Sequence, residues 1–441
     1  MKRGNVQVIN RTGSQWVELD NSGASDVGGA INALLADNWD VGGVDLFLDP
    51  GTYLVETPIS VSYSNVGIQG YTFGFSYGPD YGSENRDFVR HHTGAARGRE
   101  GKTRLLLAPS CRDAIEVGTT TEIFGFTLRN ITICGQNGRT GVQPDITPEQ
   151  NGLRIMTGTA PSSVVVDYCQ FLHLTHGIIG EGPETYVDVF YITDNWISEC
   201  NVAIKLHASV FASVISRNGL HDMSGTVLQL RSLDHTPTKE MVISDNTGWN
   251  PGKLVFDIEG FRGGTITDNA LVFNHEQVKS FARLRSCHLT HVTGNTFVVD
   301  VDDERTQNEL GDGGRGYEQD GERYDTLTLA GCSDCTVSGN SLTSFDPEHP
   351  VIRLGAHDTT GEDSRDNHLI LNKVLPSAGF EGRPQICLEE GTQNNLVVLP
   401  KTVSRADRRA IVDRGRENEI CALPPAFSRD PDAADGRPGH I

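Results

Sequence analysis

The sequence predicts an all-β protein, a parallel β-helix in which short strands form coils that stack on one another. A four-residue signature recurs in the middle of the chain, with a β-branched residue first and asparagine last. Its copies are Ile192–Asn195, Ile215–Asn218, Ile243–Asn246, Ile266–Asn269 and Val292–Asn295. The asparagines are 23, 28, 23 and 26 residues apart, and a period in the twenties is typical of stacked coils. The segments between them have the pattern of short strands, so we predict one coil per repeat.

The composition agrees with a solenoid. The chain has 441 residues, with 49 Gly, four Met and 7% aromatic residues. Few large side chains and many glycines suit a narrow core of stacked Val, Ile and Leu with frequent turns. Because a solenoid grows by adding coils, we predict a single domain over residues 1–421. Residues 422–441, rich in Pro and Asp, are predicted to be a disordered tail.

The net charge of −21 bears on the choice of partner. Such an acidic chain disfavours a duplex nucleic-acid partner. No apolar run is long enough for a membrane span, so no membrane partner is expected. The N-terminal residues are basic but lack an apolar stretch, so no secretory signal is predicted. We expect a cytoplasmic protein, or a secreted one if a leader has been removed.

The nine cysteines are scattered through the chain. Cys332 and Cys335 form a lone CxxC, and no second pair has the spacing of a zinc site. Most of the others fall at strand or turn positions, where a free thiol packs as a small apolar group. No His, Asp and Glu cluster has the spacing of metal ligands. We therefore predict no metal and no cofactor, and thiols in a reducing compartment.

The N-terminal elements follow from local pattern. Residues 1–25 are predicted to be an extended lead-in. A cap helix is predicted over residues 26–37, because Asp26 can cap a segment whose apolar residues recur at helical spacing. Such a helix would cover the open end of the solenoid. The first coil then begins with a strand, a turn at Asp49–Gly51 and another strand.

Three insertions interrupt the later coils, at about residues 73–102, 136–150 and 301–324. They are long and polar, and loops of this length are usually functional or disordered. The third explains why Asn340 follows Asn295 by 45 residues. Residues 404–420 are predicted to be a last strand or capping segment.

One strand per coil aligns across the chain, with its second and fourth residues apolar and facing inward. The third and fifth residues then face outward in two columns. The first column is Glu116, Arg154, Lys205, Gln229, Asp257, Arg283, Thr328 and Arg353, and the second includes Met156, His207, Arg231, Glu259, Arg285 and Glu389. Glu181 would join the second column, although the register of its segment is ambiguous. The face is either a ligand surface, as solenoid sheets often are, or a solvated face with cross-strand charge pairs.

Two blocks of the sequence resemble a known family. The segment DVGGAINALLADN with PGTYLVETPISVSYSNVGIQGYTFGF, and the central YITDNWISECNVAIKL, are similar to inulin fructotransferases and the related hydrolases of difructose dianhydrides. The resemblance runs from about Asp26 to Val398. It implies a right-handed parallel β-helix like that of pectate lyases, and a homotrimer with active sites near subunit contacts. The implied reaction closes a terminal difructose unit of inulin into a cyclic dianhydride, or reopens it.

That chemistry needs a proton donor for the departing fructosyl oxygen and a second carboxylate. The family pair is an Asp in the x-Asp-Asn turn and a Glu eleven residues later. Asp194 matches the Asp, whereas Lys205 occupies the position of the Glu, and Arg154 replaces another acid. A lysine among carboxylates is expected to stay charged and to be a poor proton donor. We predict Asp194 and Lys205 as the catalytic positions.

The other outward residues are predicted to bind an oligosaccharide or small sugar. They are Arg154, Glu181, His207, Gln229, Arg231, Asp257, Glu259 and Arg283. Glu181, Asp257 and Glu259 are also candidates for the missing acid. Two alternatives remain: a lyase, cyclase or isomerase acting on an anionic sugar or metabolite, which the basic residues favour, and a non-catalytic trimeric carbohydrate-binding β-helix.

Overall fold

The computed structural model describes most of the chain. It covers residues 4–71, 103–119, 122–135, 149–156, 159, 161–221, 223–232, 237–249, 253–273, 280–299, 325–344, 349–376, 385–399 and 411–422. The insertions predicted at 73–102 and 301–324, most of that at 136–150, and nearly all of the predicted tail lie outside the described residues.

The predicted all-β fold is confirmed: stacked coils form two large, mainly parallel sheets. The larger one consists of two series of paired strands that meet in His176–Thr193, and these series are called sheet 1 and sheet 2; the smaller one is sheet 3. Sheet 1 contains Ile59–Val61, Asp113–Val117, Asn151–Met156, the first part of His176–Thr193, Val202–Phe211, Thr226–Arg231, Leu254–Glu259, Ser280–Arg285, Leu327–Ala330, Ile352–Gly355, Ile386–Leu388 and Ile411–Asp413. Sheet 2 contains Val44–Leu48, Val66–Gln69, Phe124–Arg129, Ser162–Asp167, the last part of His176–Thr193, Val214–Ser216, Val242–Ser244, Thr265–Thr267, His291–Thr293, Thr336–Ser338, His368–Ile370, Leu396–Leu399 and Glu419–Ala422. Sheet 3 contains Ser22–Asp26, Gly51–Val55, Thr103–Leu107, Thr132–Cys134, Gln170–Leu172, Trp196–Ser198, Gly219–His221, Thr247–Trp249, Ala270–Phe273, Thr296–Val299, Ser341–Ser344 and Lys373–Pro376.

Each coil passes through the three sheets in the same order. In one coil, Val202–Phe211 lies in sheet 1, Val214–Ser216 in sheet 2 and Gly219–His221 in sheet 3. The chain then returns to sheet 1 as Thr226–Arg231, which pairs in parallel with Val202–Phe211. Four two-residue strands add further pairings beside these sheets, at Thr238–Lys239, Phe261–Arg262, Ser364–Arg365 and Thr392–Gln393.

The N-terminal end carries the cap helix, at Gly28–Asn38, followed by a 3-10 turn at Trp39–Val41. The helix begins one residue later than predicted, with Val27 at the N-cap position. Asp26 lies just outside it and still accepts a hydrogen bond from the Gly28 backbone N–H at 3.0 Å, and others from the turn at Glu56 and Thr57. The predicted lead-in forms a hairpin, Val6–Asn10 and Gly13–Val17, whose first strand pairs antiparallel with Val44–Leu48.

The recurring asparagine forms a buried ladder along the coils. Oδ1 of Asn218 accepts hydrogen bonds from the backbone N–H and the side-chain amide of Asn195, both at 3.0 Å. The Asn218 amide donates in turn to the Ile192 carbonyl at 3.0 Å and to Oδ1 of Asn246 at 2.9 Å. The ladder continues through Asn246, Asn269, Asn295, Asn340 and Asn372. The signature therefore ends in asparagine because one amide both donates and accepts between coils.

The cysteines are structural in position. All nine are free thiols, and every one except Cys421 is buried. The sulfur atoms of Cys332 and Cys335 donate to the backbone carbonyls of Leu284 and Cys287, at 3.5 Å and 3.4 Å. No described helix is long and apolar enough to cross a membrane.

Candidate active site

The register of sheet 1 confirms the two predicted columns. The first runs through Glu116, Arg154, Ile179, Lys205, Gln229, Asp257, Arg283, Thr328 and Arg353. The second runs through Met156, Glu181, His207, Arg231, Glu259 and Arg285. The register that was ambiguous in the sequence places Ile179 in the first column and Glu181 in the second. The predicted binding residues therefore share one face.

The centre of this face is an ion pair between Glu181 and Lys205. Burial acts to raise the pKa of Glu181, but the hydrogen bond and the charge of Lys205 outweigh it. The net effect lowers the pKa of Glu181, so this carboxylate is ionised. It is therefore a poor replacement for the missing proton donor.

His207 lies beside this pair, with Nδ1 3.8 Å from Oε1 of Glu181. Burial, followed by the charges of Lys205 and Arg231, lowers the pKa of His207. Its ring is therefore neutral at neutral pH. Among the described residues, its Nε2 is buried without a hydrogen-bond partner.

A third column, which the sequence reasoning missed, runs along the edge of the same face. It consists of Asp113, Asn151 and His176, paired strand to strand and all buried. The Asn151 amide donates to Oδ1 of Asp113 at 2.7 Å, and Nε of Arg154 donates to the same oxygen at 2.8 Å. Nδ1 of His176 lies 2.7 Å from Oδ1 of Asn151. The available signal was a polar residue three places before each of Glu116, Arg154 and Ile179.

The buried position of His176 also affects its charge. Burial, and then the charge of Lys205, lowers the pKa of His176 to about 4. The ring is therefore neutral at neutral pH and acts as a hydrogen-bonding group between Asn151 and Glu149, whose Oε1 is 3.2 Å from Nδ1.

Glu116 is a carboxyl group of this face whose pKa is raised. Burial is the largest cause, and the negative charge of Asp113 adds to it; together they raise the pKa of Glu116 against the opposing charge of Arg154. The sequence placed Glu116 in the first column but gave no reason to choose it as an acid. Its shift depends on Asp113, which only the fold brings beside it.

Asp257 forms a second charged cluster farther along the face. It is 1% exposed and accepts hydrogen bonds from Nη2 of Arg231 at 3.3 Å, Nε of Arg283 at 3.3 Å and Nη2 of Arg285 at 2.8 Å. Burial favours a raised pKa, but the charges of Arg283 and Arg285 outweigh it and lower the pKa of Asp257. Asp257 therefore neutralises the arginines and is unsuited to donate a proton. Gln229 lies between Lys205 and Asp257 in the first column.

Asp194 and Lys205 do not meet within one chain. Asp194 occupies the turn between sheets 2 and 3 with φ +59°, whereas Lys205 lies in the middle of sheet 1. Nε and Nη2 of Arg217, from the next coil, donate to the two carboxylate oxygens of Asp194 at 2.9 Å and 2.6 Å. Eleven residues cover only about half a coil, which separates the two positions.

In the part of the chain that the structure describes, no group of three or more His, Cys, Asp and Glu side chains is arranged to hold a metal ion.

No sequence-family profile and no curated protein sequence matches this chain. The DFA-IIIase from Arthrobacter chlorophenolicus A6 superposes with a TM-score of 0.66 at 17% identity, over 92% of this chain and 98% of that one. The fold is a parallel β-helix. The same enzyme in complex with DFA-III gives a TM-score of 0.62 at 17% identity, over 91% and 96% of the two chains. The Azotobacter vinelandii mannuronan C-5 epimerase AlgE6 A-module gives 0.55 at 12% identity, over 92% and 98%.

Proposed function

We propose that the protein is a carbohydrate-active enzyme that makes or breaks a fructosyl or similar furanosyl linkage on the outer face of sheet 1. The observation that carries the proposal is the contrast between Glu116 and Glu181. Burial and Asp113 raise the pKa of Glu116, whereas Lys205 lowers that of Glu181. Two carboxyl groups with opposite shifts are what a proton donor and a charge-stabilising carboxylate require.

The roles follow from these charges. Glu116 donates its proton to the oxygen of the departing sugar as the bond from that oxygen to the anomeric carbon breaks. Glu181 stabilises the positive charge that develops on the sugar ring. A hydroxyl of the same chain, or water, then bonds to the anomeric carbon and gives up its proton to a carboxylate. Glu116 and Glu181 are two strands apart and stand in different columns, so their Cα atoms are about 12 Å apart, and the sugar lies between the two side chains.

Lys205 has a supporting role in this scheme. Its ammonium group is paired with Glu181 and keeps that carboxylate ionised. The change from an acid to a lysine at this position therefore moves the proton donor to Glu116. Arg154, which bonds Asp113, faces the same part of the sheet and orients the Glu116–Asp113 pair.

The structural comparisons support a sugar substrate. The DFA-IIIase structures include complexes with DFA-III and with GF2, and the fold of this chain matches theirs over most of its length. At 17% identity, the choice of a fructosyl substrate rests on the resemblance of the sequence blocks and on the carboxyl groups of sheet 1.

Asp194 takes part in this proposal through a second copy of the chain. Asp194 lies at the turn between sheets 2 and 3, so it reaches sheet 1 only across a subunit contact. A homotrimer with sites at its contacts, as the resemblance implies, gives Asp194 the role of the carboxylate that accepts the final proton. The remaining residues of the site then come from the partner's sheet 1.

A second candidate is a lyase, cyclase or isomerase acting on an anionic sugar. Lys205 and Arg154 favour it, because both stand where the resembled family has acids and both attract a carboxylate or phosphate. The similarity in fold to a mannuronan C-5 epimerase is compatible with it. Inhibition by a sugar phosphate or a uronate, without any by neutral fructans, would favour this candidate.

The test is direct incubation of the pure protein with inulin and, separately, with difructose dianhydride III. Products are identified by chromatography and NMR. We expect a dianhydride from inulin or inulobiose from the dianhydride, and a loss of about 100- to 10,000-fold in Glu116→Gln, the usual contribution of a general acid. The exposed Glu122 provides the control variant Glu122→Gln. An altered sugar product would also remove the alternative of a purely sugar-binding protein. Full turnover in Glu116→Gln would overturn the assignment.

A further inference from the structure

The strongest feature outside the reacting cluster is a set of unpaired donors around Glu259. Nε2 of His357 lies 3.9 Å from Oε1 of Glu259, and Nε of Arg231 lies 3.8 Å from Oε2. Both distances are too long for a hydrogen bond. Within the described part of the chain, both nitrogen atoms are buried and have no hydrogen-bond partner.

His357 is held rigidly in this position. Its side chain is only 5% exposed, and its Nδ1 accepts hydrogen bonds from the backbone N–H groups of Thr359 and Thr360, at 3.2 Å and 3.1 Å. Because Nδ1 accepts these bonds, the ring carries its proton on Nε2. The atom that faces Glu259 is therefore a donor. A buried donor without an acceptor costs stability, which is typical of a group kept for a ligand.

The loop that carries His357 is pinned over the face of sheet 1. The backbone N–H of His357 donates to the Glu362 carbonyl, and that of Gly361 donates to the His357 carbonyl, both at 2.8 Å. The hydroxyl of Ser286 donates to Oε2 of Glu362 at 3.1 Å, which ties the loop to the coil that follows Glu259. Gly331, which has no side chain, lies against this loop. A Cβ atom at that position would lie only 2.7 Å from the Cβ of His357.

A sugar hydroxyl has the chemistry to join donor and carboxylate. A hydroxyl oxygen between Nε2 of His357 and Oε1 of Glu259 would accept from the ring and donate to the carboxylate, and a second hydroxyl would join Nε of Arg231 to Oε2 in the same way. Because both nitrogen atoms are closed to solvent, the side chains must part to admit the ligand. Nη2 of Arg285 contacts that carboxylate at 3.1 Å, so Glu259 is held in place. One carboxylate flanked by two donors matches two hydroxyls of one sugar ring.

The position of Glu259 determines how long a ligand must be to reach it from Glu181. Glu259 follows Glu181 by three strands in the second column, a distance of about 14 Å. That distance is longer than one sugar ring. A ligand that reacts at Glu181 and is also bound at Glu259 is therefore an extended oligosaccharide lying along the axis of the β-helix.

Resting on the proposed function, we infer that Glu259, His357 and Arg231 form a distal subsite that binds one sugar unit of an oligosaccharide of three or more units. A disaccharide bound at the reacting cluster is too short to reach it. The protein therefore favours chains over a free cyclic disaccharide, and the preference resides in this subsite and not in the reacting carboxyl groups.

The test compares chain-length dependence in matched variants. Binding and turnover are measured by calorimetry and product analysis with inulin-type fructo-oligosaccharides from disaccharide to pentasaccharide. His357→Asn keeps an acceptor near the Thr359 and Thr360 amides and removes the Nε2 donor. Glu259→Gln is the independent second variant. The exposed His368 in sheet 2 gives the control His368→Gln.

We expect both subsite variants to lose about tenfold in affinity for the trisaccharide and longer chains, the effect of one or two hydrogen bonds. Affinity for the disaccharide and all values for His368→Gln stay unchanged. Equal loss at every length, or no loss at any, would overturn the subsite.

If Glu116→Gln loses turnover while the subsite variants match the wild type, the subsite is wrong and the proposed reaction stands. If long chains bind through His357 but no chain reacts, the reaction is wrong and the subsite stands. Binding of no oligosaccharide would count against both.

Discussion

Nη2 of Arg285 lies 2.8 Å from Oδ1 of Asp257, a carboxylate that is 1% exposed and that also pairs with Arg231 and Arg283. Removing it leaves three guanidinium groups without their common partner. We expect Asp257→Ala to lower the free energy of unfolding by about 3–5 kcal/mol, measured by urea unfolding. The exposed Asp358 gives the control Asp358→Ala, for which a change below about 0.5 kcal/mol is expected.

The same cluster predicts a pH dependence of stability. The pKa of Asp257 lies below its ordinary value of 3.8, because the charges of the arginines outweigh the effect of burial. The stabilisation is therefore fully present above that value and is lost as the pH falls through the lowered pKa. The free energy of unfolding of the wild type, measured between neutral and acidic pH, is expected to show this loss. In Asp257→Asn the contribution of residue 257 to the pH dependence is expected to be absent. An identical acid dependence in the two proteins would contradict the prediction.

Lys205→Met is expected to change the pH profile of the reaction. Without Lys205, the hydrogen bond and the charge that lower the pKa of Glu181 are lost while burial remains, so this pKa rises. Because Glu181 acts as a carboxylate, the acidic limb of kcat/KM moves to higher pH. Lys205→Arg keeps the charge and leaves the limb nearly in place. A limb that does not move in Lys205→Met would show that Glu181 is not the group that titrates.

The asparagine ladder predicts a large stability effect from a residue far from the active site. In the wild type, the backbone N–H and the side-chain amide of Asn246 donate to Oδ1 of Asn269, at 3.1 Å and 2.8 Å. In Asn269→Ala both donors lose this acceptor, and the Ile243 carbonyl loses the Asn269 amide as its donor. Buried groups left without partners cost about 1–3 kcal/mol each. We expect thermal and urea unfolding to report a loss of about 3 kcal/mol. Asp268→Asn, at the exposed neighbour, serves as the control and is expected to change little.

Asp194→Asn tests whether a second copy completes the site. Its ion pair with Arg217 is largely solvent-accessible on the arginine side, so the variant is expected to lose no more than about 1 kcal/mol of stability. Turnover is expected to fall by about 100-fold. Each proposed site takes Asp194 from one chain and Glu181 from its partner. When Asp194→Asn and Glu181→Gln chains are refolded together, random assembly places an intact Asp194 beside an intact Glu181 in one site of four. We therefore expect about a quarter of wild-type activity to return. Full turnover in Asp194→Asn alone would place the complete site within one chain.

The fold and the register of sheet 1 could be predicted because every coil repeats the same alternation. A fixed strand position in each repeat determined that Arg154, Lys205 and Asp257 share a column. The proton donor could not be found in this way. The pKa of Glu116 depends on burial and on Asp113, three residues earlier in the same strand, whose side chain reaches the outer face only in the folded sheet.

His357 could not be found from sequence for a related reason. It lies in a loop between strands, outside the repeating pattern, and approaches Glu259 from a strand that is three coils farther along the chain. The sequence also suggested that Asp194 and Lys205 form a pair, because their spacing matches that of the resembled family. Spacing along the chain does not report on which side of a coil each residue stands.

The asparagine ladder has a consequence for how this protein can diverge. Each coil between Asn195 and Asn372 presents the same amide groups to its neighbours in the ladder, so a segment such as that between Asn218 and Asn246 can be deleted or duplicated as a unit. The bonds then close again between the new neighbours. Such an event would move Glu259 relative to Glu181 by one strand spacing, about 5 Å. The length of sugar chain that the proposed subsite would select is therefore open to change by gain or loss of a repeat, without any substitution at Glu116 or Glu181.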